Sequence, residues 1–284
     1  MTDENKYIQY HIQRAIAEDL GDGDHTSLST IPADARGTMQ LLVRENGIIA
    51  GIDIAAQVFQ LVDAETQFTP LLKDGQTVKS GDIAFRVKGR VISLLSAERL
   101  ALNYMQRMSG IATKTAYYVS LLKGLPTRLL DTRKTTPGMR VFEKIAVNIG
   151  GGYNHRLGLF DMILIKNNHV DFAGGVCQAI ETANAYLQKT GKNLPIEIEV
   201  RNFEELQQAI DCGKIQRIML DNFTPEKLKK AIEKIENRFE TEASGGITEK
   251  TIYGYAQTGV DFISVGALTH HIKSLDLSLR AVIL

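Results

Sequence analysis

From Gly124 onward, short apolar runs alternate with amphipathic segments. The runs at 127–130, 161–165, 195–200, 217–220, 239–243 and 261–265 have the length and branched aliphatic content of buried strands. Between them, 139–149, 172–189, 203–212, 225–237 and 249–258 place apolar residues at helical spacing. Repeated βα units of this size predict a parallel sheet with right-handed crossovers, closing into a barrel. The earlier half has a different pattern. A helix is expected over 7–20, with Ile8, Ile12, Ala15 and Ile16 on one face and a stop at Gly21-Asp22-Gly23-Asp24. β-rich runs at 38–44 and 82–88 come next, with a helix at 52–61 between them and sandwich-type turns in 73–82. Residues 93–123 form one long apolar stripe, which Gly110 is expected to bend or divide. The fold class is therefore α/β.

The C-terminal ends of the late strands are more informative than the strands themselves. They carry Asp131-Thr132-Arg133-Lys134, Lys166-Asn167-Asn168, Glu199, Asp221-Asn222, Ser244-Gly245-Gly246 and Gly266-Ala267. Parallel barrels build their sites at that end of the strands, and the late loops commonly hold phosphate on backbone amides. Cations on the early strands, carboxylates in the middle and glycines at the end suit polyanionic substrates with a divalent cation such as Mg2+. Glu199 and Asp221 are the metal candidates, because magnesium takes one or two carboxylates and completes its shell with water and phosphate. Glu197 shares the face of Glu199 but lies deeper, in a supporting place.

Composition sharpens this picture. The 284 residues carry 33 Lys and Arg against 33 Asp and Glu. Between Asp131 and His169, however, Arg133, Lys134, Arg140, Lys144, His155, Arg156, Lys166 and His169 face only Asp131, Glu143 and Asp161. A cationic patch in a neutral chain points to a pocket for a small polyanion, not to a nucleic-acid surface. No apolar run approaches the roughly 20 residues of a membrane span. Cys177 and Cys212 form no CxxC pattern and are expected to be small buried residues in a reducing compartment. With no signal-like start, the cytoplasm is the expected location. A lipoyl-type carrier role for 73–82 fails, because no lysine sits centrally in a tight hairpin.

Other residues receive plainer readings. Lys144 and Arg107 are expected to be solvated, as are His11, His25 and His271, and Arg140 could be as well. Gly150-Gly151-Gly152 reads as a helix stop in left-handed geometry and lacks the dinucleotide-binding spacing. His169 is left as a core or supporting residue.

The motifs Asp131-Thr-Arg-Lys-Thr-Thr-Pro-Gly, Gly150-Gly-Gly-Tyr-Asn-His-Arg-Leu-Gly-Leu, Ile165-Lys-Asn-Asn-His-Val, Leu220-Asp-Asn-Phe, Glu242-Ala-Ser-Gly-Gly-Ile and Ser264-Val-Gly-Ala-Leu-Thr-His, in this order, closely resemble the quinolinate phosphoribosyltransferase family. The resemblance implies a small N-terminal α/β sandwich, residues 1–115 with 272–284 returning to it, and an irregular open α/β barrel over 116–271. It implies the joining of quinolinate to phosphoribosyl pyrophosphate, giving nicotinate mononucleotide, pyrophosphate and carbon dioxide in NAD biosynthesis. Arg133, His155 and Arg156 would meet the two carboxylates, and Lys134 and Lys166 would sit near carboxylate and phosphate. Ser244, Gly245, Gly246 and Gly266 would cradle phosphate, with His270 beside them. Lys134, Glu199 and Asp221 would carry the chemistry, with Mg2+ on the two carboxylates. Members work as dimers or assemblies of dimers, and Arg99, in Ser96-Ala-Glu-Arg-Leu-Ala-Leu-Asn103, would be lent across the interface. Two positions depart from the family pattern: Asn167 stands where an acidic residue is frequent, and Ile145 where an aromatic one is. A transferase acting on nicotinate, a paralogue tied to molybdate uptake, and a binding protein without turnover are the alternatives. The number of cations favours a dicarboxylate.

Overall fold

A computed structural model, which describes residues 3–282, divides into two compact units. Unit 1 takes the residues up to Ala116, Thr135–Gly151 and those from Leu268 on; unit 2 takes Tyr117–Lys134 and Gly152–Ala267. In chain order, α1 (Asp3–Leu20) and α2 (His25–Thr30) lead to β1 (Arg36–Val43), β2 (Gly47–Ile48), α3 (Ile52–Val62), β3 (Gln67–Pro70), β4 (Thr77–Val78), β5 (Ile83–Arg90) and α4 (Val91–Leu121). Then come β6 (Arg128–Leu130), α5 (Arg140–Ile149), β7 (Ile163–Ile165), α6 (Asn167–Ala173), α7 (Val176–Thr190), β8 (Ile196–Val200) and α8 (Phe203–Cys212). The chain ends with β9 (Arg217–Asp221), α9 (Pro225–Ile235), β10 (Glu240–Ser244), α10 (Ile252–Ala256), β11 (Phe262–Ser264), α11 (Ala267–His270) and β12 (Leu277–Ala281). No helix among the described residues is long and apolar enough to cross a membrane.

Unit 1 is built on an antiparallel sheet in the order β12-β1-β5-β3. Along β1, Met39, Leu41 and Val43 turn inward at every second position, as a half-buried strand requires. They join a core containing Ile12, Val58, Phe59, Phe85, Leu94 and Met105. The C-terminal strand β12 closes the sheet, pairing Met39 with Ala281 and Val43 with Leu277.

Four expectations change in this unit. Helix α4 runs unbroken through Gly110, where a Cβ would strike the carbonyl oxygen of Lys273; the glycine permits a close backbone approach and does not divide the helix. Helix α5, read from its place in the chain as a barrel helix, belongs to unit 1. Lys144 on α5 is 2% exposed, not solvated. Arg107 is also no free surface cation. Its guanidinium donates to Glu143 Oε1 at 2.7 Å and to the Thr269 carbonyl at 2.7 Å, and Glu143 is fully buried. Local periodicity could not reveal either residue, because the burial and the partners come from distant segments.

Unit 2 holds the parallel sheet, ordered β6-β11-β10-β9-β8-β7. All six expected strands are present, and the curl is left open, since β6 and β7 do not pair among the described residues. The expected helix over 172–189 is two helices, broken at Gly174 (φ 89°) and Gly175 (φ 141°), with α6 starting earlier, at Asn167. Helix starts are capped as the sequence allows: Asn202 accepts from the Glu205 N–H at 2.9 Å, and Thr224 precedes a proline in the first turn of α9. Cys177 is exposed and Cys212 half-buried, contrary to expectation. They meet where α7 packs on α8, with Cys212 Sγ 3.9 Å from the Cys177 carbonyl oxygen.

Candidate active site

The site of unit 2 begins at the end of β6. Asp131 is fully buried and accepts the His155 N–H at 2.8 Å. The Tyr153 N–H donates to Leu129 and the Asp131 N–H to Tyr153, so this loop runs alongside β6 as an extra short strand. Asp161 then accepts the N–H groups of Leu157 (2.6 Å) and Gly158 (2.9 Å). Arg156 is thus held between two turns, each tied to a carboxylate. Its guanidinium donates to the Met162 carbonyl at 3.2 Å and the residue is 9% exposed. Burial and the positive charge of Arg133 pull Arg156 below the usual arginine range. Arg133 presents a buried Nε with no hydrogen-bond partner. Two guanidinium groups in one poorly solvated place, one with an unused donor, suit a ligand with two carboxylates.

Across the sheet, Glu199 and Asp221 stand at the ends of the neighbouring strands β8 and β9. Burial, and after it the negative charge of Asp221, pushes Glu199 up to about 7, while Lys166 pulls the other way. Asn167 Nδ2 donates to Glu199 Oε1 at 2.8 Å, and Asn222 Nδ2 donates to Asp221 Oδ2 at 2.9 Å. Two mutually repelling oxygen-donor groups on adjacent strands fit the donor set of magnesium.

Ser244 lies in register with Asp221 at the end of β10. Gly245 comes next with φ 100°, where a Cβ would run into the Asn222 side chain and sit 2.9 Å from its backbone nitrogen. Gly246 has φ 61° and open space where a Cβ would be. The first glycine therefore makes room for Asn222, and the second leaves backbone accessible to an anion.

Sequence models of the quinolinate phosphoribosyl transferase N-terminal and C-terminal domains match residues 24–109 and 111–280. This chain belongs to that family. It is 43% identical over 284 residues to the chloroplastic nicotinate-nucleotide pyrophosphorylase [carboxylating] of Arabidopsis thaliana, covering 95% of this chain and 81% of the relative. It is 41% identical to a probable nicotinate-nucleotide pyrophosphorylase [carboxylating] of Synechocystis, covering 95% and 91%. The solved nicotinate-nucleotide pyrophosphorylase of Francisella tularensis superposes with a TM-score of 0.91 at 43% identity, covering 98% of this chain and 97% of that one.

Within this quinolinate phosphoribosyl transferase fold the barrel interior is polar, which strand periodicity did not reveal. Parallel register puts Glu197 beside Arg217 and Glu242 beside Met219, all on one face. His155 Nε2 lies 3.1 Å from Glu197 Oε2 and 3.5 Å from Glu242 Oε2, and its Nδ1 accepts the Arg156 N–H at 2.7 Å. The ring is therefore turned into the barrel, and it reaches the ligand side through Arg156. Arg217 supplies the countercharge, 2.9 Å from Glu240, 3.3 Å from Glu242 and 3.9 Å from Glu197, with its guanidinium 4.0 Å over the Phe262 ring. His155, Glu197 and Glu242 are near enough to hold a cation. Arg217 already fills that electrostatic role. A cleft of about 780 Å3 at the opposite ends of the strands is lined by Glu197, Arg217, Arg238 and Glu240 among others. The guanidinium of Arg217 is committed to internal carboxylates, so this cleft is a poor match for anionic substrates.

Of the residues singled out from the sequence, Lys134, Lys166, Ser244, Gly245, Gly246 and Gly266 lie with Arg133, Arg156, Glu199 and Asp221 in unit 2. Arg99 and His270 are exposed residues of unit 1. Sequence reasoning missed Asp131, Asp161, Arg217, Glu242 and Asn222. Asp131, Asn222 and Glu242 did leave a signal, since each stands inside a motif, whereas Asp161 and Arg217 offered only their charge.

Proposed function

We propose that this chain converts quinolinate and phosphoribosyl pyrophosphate to nicotinate mononucleotide, pyrophosphate and carbon dioxide, the phosphoribosyltransferase reaction of NAD biosynthesis. The observation that carries the choice of a dicarboxylate is the guanidinium pair, Arg133 with its unpartnered Nε beside the buried Arg156. A single carboxylate would leave one of them uncompensated. His155 sets the place of Arg156 by accepting its backbone N–H.

The ring nitrogen of quinolinate attacks the anomeric carbon as pyrophosphate departs. Lys134 and Lys166 stabilise the leaving oxygens, and Ser244, Gly245, Gly246 and Gly266 face the 5′-phosphate. Glu199 and Asp221 favour the positive charge that builds on the sugar and would hold Mg2+. Bound there, Mg2+ would neutralise pyrophosphate. Alkylation makes the ring nitrogen a cationic electron sink next to the carbon that carries the departing carboxylate. Carbon dioxide leaves, its bonding pair stays on that carbon, and a proton is taken up there. No general base is needed.

A dimer, alone or in larger assemblies, is the working unit, with Arg99 supplied by a second copy. Mixing Arg99→Ala subunits with Lys134→Ala subunits should restore part of the activity that each lacks. Absence of recovery after proven subunit exchange refutes the sharing. The two free thiols suit a reducing cytoplasm.

The deciding experiment is carbon dioxide release from carboxyl-labelled quinolinate, with phosphoribosyl pyrophosphate and Mg2+ supplied or withheld. Release that requires all three, matched mole for mole by nicotinate mononucleotide, is expected. Turnover of nicotinate without release would favour the alternative transferase.

A further inference from the structure

Two side-chain amides bracket the carboxylate pair. Asn167 gives one hydrogen bond to Glu199, and Asn222, the residue after Asp221, gives one to Asp221. We infer that Asn167 and Asn222 are positioning residues that hold Glu199 and Asp221 ready for a divalent cation without neutralising them. The inference rests on the proposed transferase activity.

When both are ionised, as cation binding requires, two carboxylates on adjacent strands repel each other and turn apart unless something holds them. A lysine or arginine would hold them but would also cancel the charge that attracts the cation. A third carboxylate would add charge but could not donate when ionised. A neutral amide does what neither can: it fixes one oxygen of each group and adds no charge of its own.

The local structure is built around these amides. Asn167 Oδ1 is buried without a partner, so the side chain is oriented by its bond to Glu199, and the flipped amide would set oxygen against oxygen. Asn222 takes φ 57°, a left-handed conformation that asparagine tolerates better than most residues. Its N–H donates to the Ser244 carbonyl at 2.9 Å, and Gly245 offers the space its side chain fills. The Ser244-Gly245 turn is thereby tied to the orientation of Asp221.

The test is Mn2+ binding to the full chain, measured by the electron paramagnetic resonance signal of the free ion, with and without phosphoribosyl pyrophosphate. Asn167→Leu, which removes the donor, should weaken Mn2+ binding about tenfold, the usual loss for a group that orients a ligand. Asn167→Asp, which adds a negative charge, should tighten it about tenfold. A merely structural role would move both variants in the same direction. KM for phosphoribosyl pyrophosphate should track the Mn2+ affinity, with kcat changing less. Calorimetric quinolinate binding should stay as in the wild type, showing that the fold is intact. Equal Mn2+ affinity in all three proteins, or weaker binding in both variants, overturns the inference. A wild type that binds quinolinate but takes up no Mn2+ overturns it too, while leaving the transferase reading standing. A wild type that binds no quinolinate removes that reading and the inference with it.

Discussion

Replacing Arg156 by alanine is expected to weaken quinolinate binding by about two to three orders of magnitude while leaving phosphoribosyl pyrophosphate affinity nearly unchanged. Removing one partner from a desolvated charge pair costs about 2–5 kcal/mol, and each 1.4 kcal/mol is tenfold. Arg156 is buried and held by the turns at Asp131 and Asp161, so a bound carboxylate there would be poorly compensated by water. Arg133→Ala should act in the same direction. Arg133→Lys should recover only part of the affinity, because a lysine keeps the charge and loses the planar fork. Separate calorimetric titrations with the two substrates check the division of the site. Equal loss of both affinities would show that the arginines hold the site together without choosing the ligand. Selectivity gives a second reading: Arg156→Ala should lose far more affinity for quinolinate than for nicotinate, which lacks the second carboxylate.

The parts of this molecule that the sequence made legible are those fixed by local periodicity and by strand ends. β8 was readable because Ile196, Ile198 and Val200 alternate with Glu197 and Glu199, and its parity placed both glutamates on one face. The helix over 172–189 was misread because the apolar pattern of α7 continues backward into α6. Only the left-handed backbone at Gly174 and Gly175 separates the two. Gly110 was misread for the opposite reason: a glycine in a helix looks like a breaker until the Lys273 carbonyl is seen against it.

The candidate site was legible as a set of residue types but not as a network. Arg133, Glu199 and Asp221 announce themselves as charged residues where strands end, and Arg156 as a cation of the Gly150–Leu159 motif. Asp131 looked like one more charged member of its motif, yet it is the buried acceptor that fixes the His155-Arg156 loop. His155 looked like a ligand-facing cation, whereas its ring turns toward Glu197 and Glu242. Cys177 and Cys212 looked buried because cysteine usually is, whereas the packing of α7 on α8 leaves Cys177 exposed and Cys212 half-buried. In each case the deciding partner lies at least 20 residues away in the chain or on another element, beyond the reach of a periodicity argument.

Arg217→Leu should be the most destabilising single change in unit 2, by about 3–5 kcal/mol, the cost of leaving buried carboxylates without their cation. Glu197 and Glu242 are wholly buried, and Arg217 is the guanidinium that faces both. Burial raises the pKa of each well above the ordinary carboxylate range, and for Glu242 the charge of Glu197 adds to it. The folded protein therefore retains protons that the unfolded chain loses above about pH 4.3. Stability linked to these groups is full below that value and is lost as pH rises through the folded pKa values. Removing the guanidinium raises those values further, so the variant should lose stability more steeply on the alkaline side and recover part of it in mild acid. Adding Glu242→Gln, which removes one of the two stranded charges, should restore a coupling energy of about 0.5–3 kcal/mol. Denaturant melts of the single and double variants at several pH values measure both effects. A pH-independent loss, unchanged by Glu242→Gln, would assign the role of Arg217 to packing on Phe262 and leave the carboxylates neutral without it.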